Sequence, residues 1–136
     1  MNVESLKIVK EGTCPTLSGA STLTYEIGVD GDGAVAFRIT GNSGGGLFGG
    51  SWTDWSAIKT ALETDQPITA GTLKRAGVCN CRSSNTPGFL LAVLKAEGLV
   101  TPLEQGGHTK ADPTDFLAAL AAKPPRRPRN PPENQA

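Results

Sequence analysis

A chain of 136 residues can hold one domain with a modest core and a tail, since domains typically run to about 100–150 residues, and it excludes two full domains. Its 38% apolar and 5% aromatic content suffices for a globular core, while 17 Gly and 10 Pro predict short elements joined by much turn. The formal net charge of zero excludes a global basic field of the kind that gathers a protein onto nucleic acid or an anionic membrane. The charge is unevenly placed, however. Residues 1–73 carry four Lys/Arg against eight Asp/Glu and residues 74–136 nine against five, so a polyanion would meet the second half. The start, MNVESLKIVKEG, lacks the apolar run of a secretory signal, and no segment has the apolar length needed to span a bilayer. Three cysteines, an odd count, fit a reducing compartment better than a disulfide scaffold. The expectation is a soluble, cytoplasmic protein with no membrane association.

In chain order, residues 5–10 alternate enough for a short strand with Leu6 and Ile8 on one face. Over 22–40 the pattern is stronger: Leu23, Tyr25, Ile27 and Val29 alternate with small or polar residues, as do Val35, Phe37 and Ile39, around Asp30-Gly31-Asp32-Gly33. An Asp/Gly run supplies the positive-φ positions of a tight turn, so this predicts a β-hairpin. The glycine-rich stretch 41–50 predicts a loop pinned by Leu47 and Phe48. Ser51-Trp52-Thr53-Asp54 has the S-x-x-D form of a capping box, and Trp55, Ile58 and Leu62 follow at helical spacing, predicting a helix over 54–63 that Pro67 ends.

A helix over 70–76 with Thr69 as its cap comes next, then one over 87–97, opened by Thr86-Pro87 and closed by Gly98, with Leu99-Val100 continuing as an extended piece. After Gly106-Gly107, Asp112-Pro113-Thr114-Asp115 starts a last helix over 113–122, with Phe116, Leu117 and Leu120 on its apolar side. Residues 123–136 hold five of the ten prolines and no large apolar side chain, which predicts a disordered basic tail carrying Arg126, Arg127 and Arg129. The fold class expected is α+β. A β-hairpin over 22–40 packs on a helix–turn–helix-like unit over 54–103 and a terminal helix, together a single domain over 1–122.

The run Leu90-Leu91-Ala92-Val93-Leu94-Lys95-Ala96-Glu97-Gly98-Leu99-Val100 resembles the end of the recognition helix of winged-helix DNA-binding domains, where L-x-x-L-x-x-x-G-L/I-V leads into the wing. Within that class it is most similar to the C-terminal DNA-reading domain of bacterial chromosome-segregation translocases. Asn85 matches the Asn that opens the family's recognition helix and Glu97-Gly98-Leu99-Val100 the run that closes it, while Thr86 and Phe89 stand where that family has arginines. The resemblance implies a winged helix and binding to double-stranded DNA. A recognition helix needs side chains that reach phosphates or base edges, and within 89–96 only Lys95 is polar. DNA contacts are therefore expected from Arg82, Ser83, Ser84, Asn85 and Thr86, with Lys74, Arg75, Lys95 and the three tail arginines. The alternative is a non-enzymatic adaptor or inhibitor that binds a protein partner, or itself, through the apolar third helix, the Trp52/Trp55 region or the Pro-rich tail.

Other constellations predict less. Gly44-Gly45-Gly46-Leu47-Phe48-Gly49 has the form G-x-G-x-x-G with Asp65 downstream, but a dinucleotide site needs a parallel strand and a βαβ unit, which hairpin alternation denies. Cys14, Cys79, Cys81 and His108 would make a Cys₃His zinc set, yet the C-x-C spacing is not that of structural zinc sites, and no metal or cofactor is expected. His108 falls in an expected loop with no Ser or Cys at a nucleophile spacing, and Asp30 and Asp32 lack the rest of a calcium loop, so no enzyme activity is expected.

Overall fold

The structure, a computed structural model, describes residues 3–44, 52–78 and 85–122. Among them the architecture is mixed α+β: a four-stranded antiparallel sheet, a two-stranded sheet and four α-helices. The large sheet has the order β1 (Lys7–Pro15), β2 (Thr22–Val29), β3 (Val35–Asn42), β4 (Thr53–Asp54). Helices α1 (Trp55–Ala61), α2 (Ala70–Ala76) and α3 (Thr86–Ala96) follow, then the hairpin β5 (Val100–Pro102) and β6 (His108–Lys110), and α4 (Thr114–Ala122).

The expected hairpin is β2–β3. Leu23, Tyr25 and Ile27 on β2 and Phe37 and Ile39 on β3 are buried, as the alternation requires. Asp30 organises the turn by accepting the backbone N–H of Asp32 and of Ala34, each at 2.9 Å, while Gly33 takes φ +87°. Both acids are turn residues.

The first strand corrects the sequence expectation. It runs on to Pro15, and a bulge between Ile8 and Lys10 turns Val9, rather than Leu6 and Ile8, into the core. Its other inward positions hide the pattern. Gly12 lies opposite Tyr25, whose ring crosses it so closely that a Cβ on Gly12 would sit 2.7 Å from the phenol, and Lys10 points inward toward a buried carboxylate. On the opposite face Trp52 and Leu6 cover Gly28, and the Arg38 guanidinium stacks 4.5 Å from the Trp52 ring centre while pairing with Glu26.

Helix α1 begins differently from the expected box. Asp54 itself is the cap, accepting the Ser56 N–H at 3.1 Å, because Thr53 and Asp54 are held extended against β3; Ser51 lies outside the described residues, as do Leu47 and Phe48. The cap of α2 is as expected, with the Thr69 and Thr72 side chains bonding each other's backbone N–H, and Gly77 closes it at φ +67°. Helix α3 starts one residue earlier than expected. Asn85 takes the cap position, Thr86 is the first helical residue, and Pro87 still falls in the first turn, where its missing donor costs nothing. It ends as predicted: Gly98 is left-handed at φ +78° and the Leu99 N–H returns to the Leu94 carbonyl at 2.9 Å.

The core lies between the inner face of the large sheet and the helices, with α1 packed on β3, α3 on β1, and α2 on α3. From the far end of the chain, α4 contributes Phe116, which stacks on Phe37 at 5.9 Å and leans on Trp55 at 6.2 Å. Asp112 starts this helix by accepting the Thr114 N–H at 2.9 Å, and these Thr114 bonds hold its carboxyl below the usual carboxylate range. Residues 123–136 lie outside the described residues.

Candidate nucleic-acid interface

Helices α2 and α3 are adjacent, crossing where Gly88 approaches Ala70; a Cβ on Gly88 would stand 3.8 Å from the Ala70 methyl. Lys74 and Arg75 lie exposed in the last turn of α2, and the Arg75 guanidinium folds back over Gly71. Asn85 is exposed at the entry to α3. These three are the sequence-predicted contacts that the described residues place as accessible groups in the last turn of α2 and at the entry to α3. Thr86 is not among them, being buried at 4% exposure. Lys95 is exposed but stands in the last turn of α3, and ten residues of helix at 1.5 Å each put it about 15 Å from Asn85. Arg82, Ser83 and Ser84, and Arg126, Arg127 and Arg129, lie outside the described residues.

The body of α3 is interior. Leu90, Leu91, Ala92, Val93 and Leu94 are all buried, as the apolar run implies, so no face of this stretch is left to enter a groove. Beyond it, β5 and β6 form a hairpin whose tip is closed by the Leu103 N–H to Gly107 carbonyl bond at 2.9 Å, with Gly106 and Gly107 at φ +105° and +78°. The tip exposes Glu104 and Gln105, and Lys110 at its base is paired with Glu63 at 2.9 Å.

His108 corrects an expectation. It lies in strand β6 rather than in a loop, because the two left-handed glycines return the chain tightly enough to pair. Ile68, between α1 and α2, joins the same ladder by exchanging both backbone bonds with His108, at 2.7 and 2.8 Å. The imidazole is 9% exposed, and its Nδ1 has no hydrogen-bond partner among the described residues.

One buried polar cluster was not legible in the sequence. The carboxylate of Glu97, its side chain 4% exposed, accepts from Lys10 Nζ at 2.8 Å and from the Tyr25 hydroxyl. It joins the end of α3 to β1 and β2. Burial, and then the hydrogen bond to Glu97 and its charge, push the Tyr25 phenol above its ordinary pKa, and burial followed by the Glu97 charge does the same to the neighbouring Cys14 thiol. Cys14 is thus a protonated core residue. Cys79 and Cys81, its expected companions in a zinc set, lie outside the described residues, within which no three His, Cys, Asp or Glu side chains gather as metal ligands. In the glycine-rich motif, residues 45–49 are likewise outside, and the strand before them, β3, is antiparallel to both neighbours. Among the described residues no helix is long and apolar enough to cross a membrane.

Comparison with protein-family models, with curated proteins and with solved structures finds no match to this chain.

Proposed function

We propose that the chain is a small cytoplasmic DNA-associated accessory protein built on a winged-helix-like unit, which meets the phosphate backbone through the C-terminal end of α2 and the entry to α3. The observation that carries this reading is the arrangement of α2, α3 and the β5–β6 hairpin. Two adjacent helices are joined by a connection that carries Arg82, and the second leads through Gly98 into a hairpin as a recognition helix leads into a wing. Lys74, Arg75 and Asn85 supply two positive charges and an amide at the α2–α3 end, and the second half of the sequence carries the excess of positive charge. With Leu90 to Leu94 interior, the contacts are mainly to phosphates, and little sequence discrimination is expected.

Of the surfaces a protein partner would use, Leu90 to Leu94 are buried, Trp55 is 8% exposed, and Trp52 lies against Gly28 and beneath Arg38, while the Pro-rich tail lies outside the described residues. Fluorescence anisotropy of a random duplex at two salt concentrations tests the proposal. Affinity should fall steeply with salt as counterions are released. No binding at low salt would refute it.

A further inference from the structure

The connection between β1 and β2 is a fixed turn. Thr16 N–H donates to the Ser21 carbonyl and Gly19 N–H to the Thr16 carbonyl, both at 2.9 Å. It carries Leu17 outward, 42% exposed, the exposed large apolar side chain of the described residues. With Pro15 and Thr16, Leu17 forms one wall of a cavity of about 150 Å³ whose other wall is Ala92, Lys95 and Ala96 on the last turns of α3. Ala92 and Ala96 are four residues apart, so their methyls stack on one helix face and leave the volume that larger side chains would fill.

Three features define what fits. An apolar cavity of about 150 Å³ takes a group the size of benzene or an aliphatic side chain. Leu17 is part of the wall, so an apolar group entering the cavity also takes part of the Leu17 side chain out of water. The cation on the rim, Lys95, forms no ion pair among the described residues, and the nearest carboxylate in sequence, Glu97, is already engaged by Lys10 and Tyr25. The charge that would complement this rim is therefore negative, and it must stand next to an apolar group. A nucleic-acid backbone offers the charge without an apolar side chain for the cavity.

We infer that the cavity between Leu17 and the last turns of α3 binds a short acidic segment of a partner protein, which inserts one aliphatic side chain against Ala92 and Ala96 and sets an adjacent carboxylate beside Lys95. The site lies about 15 Å along α3 from Asn85, so it does not depend on the DNA reading.

Titrating the full ¹⁵N-labelled chain with an acetylated, amidated Gly-Asp-Leu-Asp-Gly pentapeptide tests this by amide chemical shifts. The shifts should concentrate at Thr16, Leu17, Ala92, Lys95 and Ala96 and saturate with a Kd of about 1 mM, as suits so small a contact. Replacing the peptide's Leu by Ala should abolish them. Replacing its Asp residues by Asn, or Lys95 by Gln, should weaken binding about threefold, the worth of an exposed ion pair. Ala96→Leu, at an exposed helical position, should fill the cavity and block the peptide while leaving the remaining spectrum in place. The inference is overturned if about 10 mM peptide shifts none of these amides, if the Leu-to-Ala peptide binds equally well, or if the same amides respond instead to duplex DNA or to the protein's own concentration.

Discussion

The phenol of Tyr25 donates a hydrogen bond to the carboxylate of Glu97, 72 positions further along the chain, and Lys10 binds the other oxygen of the same carboxylate. One acid at the end of α3 thereby fixes two strands of the large sheet against the helices. Glu97→Ala should cost about 2–4 kcal/mol, because it leaves the phenol and the ammonium without their acceptor; the half-exposed Lys10 can recover water, which keeps the loss from being larger. Tyr25→Phe, which leaves the Lys10 pair intact, should cost about 1–2 kcal/mol. Urea denaturation measures both, and a Glu97→Ala protein as stable as wild type would show that the cluster contributes nothing.

The same cluster sets a pH dependence. Folding raises the pKa of both Tyr25 and Cys14, so the folded chain keeps protons that the unfolded chain begins to release near the ordinary thiol and phenol values of about 8.5 and 10. The stabilisation is complete below those values and is lost progressively as pH rises from them toward the higher values of the folded chain. Stability measured between pH 7 and 11 should fall, and Tyr25→Phe should flatten the upper part of the decline.

Leu94 is fully buried between α3 and the sheet. Leu94→Ala should cost about 2–5 kcal/mol by leaving a cavity. Unchanged stability with altered self-association would mean that α3 is an interface rather than core.

Two left-handed glycines separate backbone strain from steric clash. Gly98, at φ +78°, has open space where a Cβ would stand, so Gly98→Ala should cost about 1 kcal/mol. Gly107 has the same φ, but a Cβ there would lie 2.7 Å from the Pro67 Cβ, beside the Ile68–His108 pairing. Gly107→Ala should therefore cost clearly more, about 2–3 kcal/mol, and loosen that ladder. Equal losses at the two positions, by denaturation, would refute the clash.

If duplex DNA binds, Arg82 and Asn85 should matter more than Lys95. Arg82→Ala should weaken binding and lower the salt slope by about one unit if it meets one phosphate, Asn85→Ala should erode whatever sequence preference exists, and Lys95→Ala should change little. Anisotropy titrations of the four proteins on one duplex give the comparison, and equal affinities would remove the α2–α3 end as the contact.

The sequence carried the parts of the fold that local physics decides. The β2–β3 hairpin was legible because Leu23, Tyr25 and Ile27 alternate up to an Asp/Gly turn, and the end of α3 because Gly98 alone accepts the left-handed closure cheaply. What stayed hidden depends on partners distant in the chain. Gly12 and Lys10 look like breaks in a strand until Tyr25 and Glu97 are seen against them, and β4 and β6 are too short to show a period. Of the candidate site, the interior character of Leu90 to Leu94 could be read from the apolar run, whereas the burial of Thr86 and the cavity beside Leu17 could not. Both arise from packing that no local pattern encodes.

The stacking of Phe116 on Phe37 has a consequence for the order in which the chain is made. Strands β2 and β3 leave the ribosome long before Phe116 is synthesised, and at roughly 5–20 residues per second the inner face of the sheet waits several seconds for its last cover. During that interval Phe37 and Trp55 are available to any apolar surface nearby. A chain cut short before Asp112 would carry that vulnerability permanently, so the terminal helix acts as the step that ends the nascent protein's exposure to aggregation.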